Sequence, residues 1–141
     1  MSEQCCETPS GSSGNVMILA CSGGSNVGQL SNQAAVELTK EGFGKMFCLA
    51  GIGAHLSGFV QSAKDVPAMI AIDGCSIGCA KATLEHAGVP LKAYLVITDL
   101  GIEKNKNFDL DSETIEKVKA AVKEACEGLP VEGGSSVACC S

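Results

Sequence analysis

Ala68-Met69-Ile70-Ala71-Ile72-Asp73-Gly74-Cys75-Ser76-Ile77-Gly78-Cys79 is the stretch on which the fold turns. Five apolar residues in unbroken succession, closed by Asp73 and Gly74, read as a strand buried on both faces. Ser76 stands where it would cap a following helix, predicted over Ile77 to His86 and stopped by Gly88 and Pro90.

The same strand, turn and helix pattern recurs on either side. Upstream, Asn15 to Ala20 is a short apolar run that ends in Cys21 and the small-residue loop Ser22-Gly23-Gly24-Ser25. Leu30, Ala34, Ala35 and Leu38 then share one face of a helix predicted from Val27 to Glu41, with Gly42 as its stop. Lys45 to Ala50 reads as a second buried strand, emptying into a glycine-rich loop, Gly51 to Gly58, that carries His55. A short helix near Phe59 to Lys64 leads to Pro67. Downstream, Ala93 to Thr98 is the fourth strand, followed by an irregular loop of lysines and asparagines. The last helix begins at Asp111 or Ser112 and turns Ile115, Val118, Val122 and Ala125 inward, leaving Lys117, Lys119 and Lys123 on a solvated face. Gly128 and Pro130 end it.

Apolar strands alternating with amphipathic helices imply a parallel sheet covered on both faces. Right-handed crossovers then favour a single-domain, doubly wound α/β fold whose four strands run in the order 2-1-3-4. The 141 residues suffice for one such domain, with 45% apolar and 18% charged residues. The domain is expected over residues 15–128, flanked by polar, flexible tails at 1–14 and 129–141.

Nine cysteines are the compositional outlier: 5, 6, 21, 48, 75, 79, 126, 139 and 140. The odd number and the two adjacent pairs argue against a disulfide framework. The first residues lack a basic start and an apolar core that would export the chain, and no apolar stretch is long enough for a membrane span. The reading is a cytoplasmic protein, where thiols bind metal or do chemistry. All ten basic residues are lysines, the net charge is −6 and there is no tryptophan. Without arginine forks or stacking platforms, nucleic-acid binding is not expected.

Ligands of open α/β sheets bind beyond the carboxyl ends of the strands, where strand order reverses. Cys21 ends the first strand, Cys75 follows the third and Cys79 lies one predicted turn into the next helix. Their convergence, with Cys48 near the end of the second strand, suggests a tetrahedral thiolate site for zinc, and iron suits the same ligands. On a continuous helix Cys75 and Cys79 would stack on one face, at an N-terminus whose partial positive charge suits an anionic ligand set. Cys126 reads as packing.

These stretches also carry a resemblance. Cys21-Ser22-Gly23-Gly24-Ser25-Asn26-Val27-Gly28-Gln29 with Asn32-Gln33-Ala34-Ala35, Gly44 to Gly53, and Ile72-Asp73-Gly74-Cys75-Ser76-Ile77-Gly78-Cys79-Ala80 are similar to the DGC-domain family over about residues 15 to 125. The resemblance implies a small bacterial or archaeal zinc-binding protein with four recurrent cysteines at Cys21, Cys48, Cys75 and Cys79, and no established activity. It makes Cys48 the expected fourth ligand.

Other chemistries are weighed at the same edge. The Cys21 loop is similar to the catalytic loop of low-molecular-weight phosphatases and arsenate reductases, but Val27 occupies the place of their arginine. A weaker site for a small anionic or thiol ligand survives. A P-loop is excluded because Gln29-Leu30 replaces its lysine and hydroxyl pair. A thiol-based oxidoreductase or transferase would use Cys21 or Cys75 as nucleophile and His55 as proton carrier. His86 reads as a partner of its own helix dipole, and Asp73 as a helix cap or as a support for a ligand, with Asp99 a weaker case. Cys5, Cys6, Cys139 and Cys140 would allow a third role, a metal or metalloid carrier that hands ions from the tails to the core.

Overall fold

A computed structural model describes residues 16–130. The tail cysteines, Cys5, Cys6, Cys139 and Cys140, lie outside the described residues. The elements are β1 (Val16–Ala20), α1 (Asn26–Lys40), β2 (Gly44–Met46), α2 (Leu49–Gly53), α3 (Ser57–Asp65), β3 (Met69–Asp73), α4 (Cys79–His86), β4 (Ala93–Val96) and α5 (Ser112–Ala125). The four strands form one all-parallel sheet in the order β2-β1-β3-β4, as the sequence implies.

Strand alternation divides the core into two layers. Ile18, Ile70 and Ile72 meet Val27, Leu30, Ala34 and Leu38 of α1 and Ile115, Val118 and Val122 of α5 on one face. Leu19, Met69 and Ala71 meet Ile52 of α2, Ala63 of α3 and Ala80 and Leu84 of α4 on the other. Both faces of β3 are therefore covered, and all five of its residues are buried. Truncating a buried isoleucine such as Ile72 to alanine in a core of this kind costs about 2–5 kcal/mol.

Several expectations are corrected. β2 stops at Met46, so Cys48 is not a strand residue but the N-cap of α2. The glycine-rich stretch 51–58 is largely helical. Gly51 is there because a Cβ would lie 2.3 Å from Cδ2 of the Phe59 ring, which packs against it. α4 begins at Cys79 rather than Ile77, and β4 gives way to a turn of 3-10 helix over Ile97–Leu100. Lys119 is not on a solvated face. It is 5% exposed, between α1 and α5, where its ammonium meets Glu37 at 3.3 Å, Glu116 at 2.9 Å and the Glu41 carboxylate. Its stem packs while three carboxylates meet its charge, so a lysine serves where periodicity alone would place an apolar residue. Cys126 is buried, and burial pushes its thiol up to about 11. Leu129 also packs against the α1/α5 layer. Among the described residues, no helix is long and apolar enough to cross a membrane.

Candidate functional site

Each of the four cysteines expected to bind metal falls just past the carboxyl end of β1, β2 or β3. Cys21 continues β1 by one rung, its N–H donating to the Ile72 carbonyl at 2.9 Å, and it is half-buried. Gly23 folds back over it, with the Cys21 Sγ 3.8 Å from where a Gly23 Cβ would sit. The loop is braced from inside. Gln29 Nε2 donates to Ser22 Oγ at 3.2 Å and to the Gly23 carbonyl at 2.9 Å, and Ser25 Oγ caps α1 by accepting from the Gly28 N–H. The N–H groups of Ser25, Asn26, Gly28 and Gln29 all donate to protein acceptors. They are not turned outward as an anion cradle.

The Asp73-Gly74-Cys75 triplet has a distinct task for each residue. Asp73 is 1% exposed, and its carboxylate accepts from the Ala80 N–H at 2.7 Å, the Lys81 N–H at 3.1 Å and the Tyr94 hydroxyl at 2.7 Å. It caps α4 from a distance because the N-cap position is Gly78, at φ 74° and without a side chain to offer. Ser76 is not the cap. Burial, reinforced by the Asp73 hydrogen bond, holds the Tyr94 phenol well above its usual value of 10. Gly74 lies against the first turn of α1. A Cβ there would be 2.7 Å from the Gly28 nitrogen and 2.7 Å from the Val27 carbonyl carbon, so only glycine fits.

Cys75 leaves the strand half-buried, and its sulfur accepts from Lys104 Nζ at 3.4 Å. Lys104 arrives on the loop after the 3-10 turn, which is stitched to the start of α1. Asn26 donates to the Glu103 carbonyl at 2.9 Å and accepts from the Asn105 N–H at 2.6 Å, while Lys106 Nζ reaches the Gly24 carbonyl at 2.6 Å. Asn26 lies within the Cys21–Gln29 motif, but no motif points to Lys104 or to the pairing of the two, because their roles exist only once this loop has folded over the first turn of α1. Beside it, a pocket of about 300 Å³ opens between Leu30, Asn105 and Asp111, lined by none of the cysteines.

Cys48 and Cys79 are both exposed. Cys48 precedes α2, its carbonyl accepting from the Gly51 and Ile52 N–H groups. Cys79 is the first residue of α4 and accepts from Thr83 Oγ1 through its carbonyl at 2.8 Å. α2 packs on α4, with Thr83 Cγ2 3.4 Å from where a Gly53 Cβ would be. Cys75 and Cys79 are not stacked on one helix face, because the chain turns between them, with the Gly78 N–H bonded to the Cys75 carbonyl at 3.1 Å.

The four thiols thus share an edge without being gathered. Among the described residues, no three His, Cys, Asp or Glu side chains converge closely enough to hold a metal ion. If gathered, these four soft sulfurs would be a ligand set of the kind that zinc or iron selects. His55 and His86 contact each other, with His55 Nε2 3.0 Å from His86 Nδ1, so His86 has a partner besides its own helix end. Asp99 is exposed in the 3-10 turn.

Comparison with known proteins agrees with the motif reading. The chain is 31% identical over 102 residues to the anaerobic and virulence modulator AnvM of Pseudomonas aeruginosa, a match covering 72% of this chain and 78% of that protein. No solved structure matches. The profile of the DGC domain matches residues 17–122, three-quarters of the sequence, and the chain belongs to that family.

Proposed function

We propose that this is a metal-binding protein whose Cys21, Cys48, Cys75 and Cys79 hold one zinc ion across the carboxyl ends of β1, β2 and β3. The observation that supports the reading is that four cysteines from three separate stretches of sequence stand beyond the carboxyl ends of three adjacent strands. Binding draws them from an open arrangement into a tetrahedron, and the exposed Cys48 and Cys79 supply most of the movement. Four thiolates around a divalent ion leave a net negative charge, which the Lys104 ammonium beside Cys75 offsets. Zinc is the first choice for this ligand set and iron the second. The cytoplasm, with its reduced thiols, suits such a site.

The test is the metal content of the purified full-length protein and of Cys75→Ser. The reading expects about one zinc per chain in the parent and at least a tenfold loss of affinity in the variant. A parent without stoichiometric metal, or a variant that holds zinc equally well, overturns it.

A second reading has one observation in its favour. The Lys104 ammonium on the Cys75 sulfur suits a nucleophilic thiolate, which makes Cys75, rather than Cys21, the candidate for thiol chemistry on a small anionic or thiol ligand. Under it, Lys104→Met slows alkylation of Cys75 in the metal-free protein while leaving Cys48 unchanged. An unaltered Cys75 rate removes this reading.

A further inference from the structure

The helices α1, α2 and α4 end in the same hydrogen-bonded turn. After α1, the Gly42 N–H bonds to the Thr39 carbonyl and the Phe43 N–H to the Leu38 carbonyl. After α4, Gly88 bonds to Glu85 and Val89 to Leu84, and after α2, His55 bonds to Ile52 and Leu56 to Gly51. This motif places one residue in the left-handed region, where glycine has no Cβ penalty. Gly42 has φ 86° and Gly88 φ 75°, but α2 puts His55 there, at φ 59°, and it is the one described non-glycine residue with positive φ. A histidine at a glycine position costs conformational free energy unless its ring contributes something in return.

The ring reaches His86, the last residue of α4. The two nitrogens are 3.0 Å apart, the ring planes stand at 86° and both residues are exposed. Two imidazole nitrogens bound at about 2.0–2.1 Å to one ion in adjacent positions are about 2.9–3.4 Å apart. The observed separation is that of a hydrogen bond between the two rings and also falls in that range, so a cation would replace the shared proton, which moves to the other nitrogen of its ring. We propose that His55 and His86 form a second metal site, a two-imidazole chelate for a borderline divalent cation such as zinc, copper(II) or nickel, with its remaining coordination positions open to solvent. The packing of α2 on α4 fixes the pair. It is separate from the cysteine edge, since both rings belong to the ends of these helices and Cys48 and Cys79 to their starts.

The chain has only two histidines, so their ring proton and nitrogen NMR signals report this site alone, in full-length protein whose nine thiols have first been saturated with zinc. Further zinc should shift both rings together, saturating at one additional ion per pair. In His55→Gly, which suits the turn, the His86 ring should need at least tenfold more zinc to respond, and His86→Gln should do the same to His55. Rings that do not move, a single responding ring, or a His86 in His55→Gly that titrates like the parent overturns the site. The cysteine reading stands or falls separately, since its metal content is lost on Cys75→Ser and not on His55→Gly.

Discussion

The two halves of the cysteine edge are built differently. Cys21 and Cys75 are half-buried and belong to loops locked into the fold: one extends the β1–β3 ladder, and the other follows a glycine pressed against α1 and faces a lysine delivered by a stitched loop. Cys48 and Cys79 are exposed, one as the N-cap of α2 and the other as the first residue of α4, held mainly through their own carbonyls. On the proposed zinc reading, the locked half would fix where the ion sits and the exposed half would close over it. A site with one rigid and one adjustable side has less ordering to do on binding than four independent loops would.

The sharpest way to break this contrast is to disturb the locked half. Gly74→Ala places a Cβ 2.7 Å from backbone atoms of α1 that cannot swing aside, and overpacking of this kind should destabilise by about 3 kcal/mol or more. Thermal melts should then fall by roughly 10 °C. Gly58→Ala is the control, since nothing lies within 4 Å and the residue is in α3, and it should melt at the same temperature or slightly higher. Equal melting for the two variants would mean that the β3 loop is not pinned.

Next in size is Asp73→Ala, which leaves the Ala80 and Lys81 N–H groups and the Tyr94 hydroxyl without their acceptor and should cost about 2–4 kcal/mol in denaturant unfolding. Tyr94→Phe removes one of these three bonds and should cost only about 1 kcal/mol.

Acid should act on the opposite layer, between α1 and α5. The hydrogen bond from Gln33 and then the Lys119 ammonium hold Glu37 below the usual 4.5, and Lys119 does the same for Glu41. Their folded values lie below their unfolded ones, so the stabilisation is complete above about pH 4.5 and is lost as the pH falls through the lowered values. Lys119→Met should flatten that part of a stability-against-pH curve, and an unchanged slope would show that the cluster is not the source.

The smallest effect separates the cysteines by exposure. Among the five described cysteines, iodoacetamide on metal-free protein near pH 8, followed by peptide mapping, should modify Cys48 and Cys79 first, Cys21 and Cys75 later and Cys126 last, since burial holds that thiol up to about 11. Early modification of Cys21 or Cys75 would reverse the order on which the rigid and adjustable halves are distinguished.

Much of this is legible in the sequence because strand and helix periodicity survive into the fold: β1, β3, α1 and α5 lie where apolar spacing puts them, and the sheet order is the one expected of a doubly wound fold. The misses have physical causes. Gly51, Gly53 and Gly58 looked like loop residues, yet Gly51 allows close approach of a ring and all three sit in helices. Lys119 lies four residues after Ile115 and three before Val122, so its spacing placed it beside the inner stripe and only its charge suggested solvent. The reading of Asp73 as a helix cap holds, whereas the task of Gly74 depends on a contact with α1 that no local pattern encodes, and Lys104 acquires its thiol partner only through the Asn26 anchor.

The central claim, that both halves of the edge close on one ion, is tested most directly by zinc K-edge X-ray absorption on full-length protein loaded with one equivalent of zinc. The account expects a single shell of four sulfurs at about 2.3 Å. A shell of two sulfurs or fewer, completed by nitrogen or oxygen at about 2.0–2.1 Å, would contradict it.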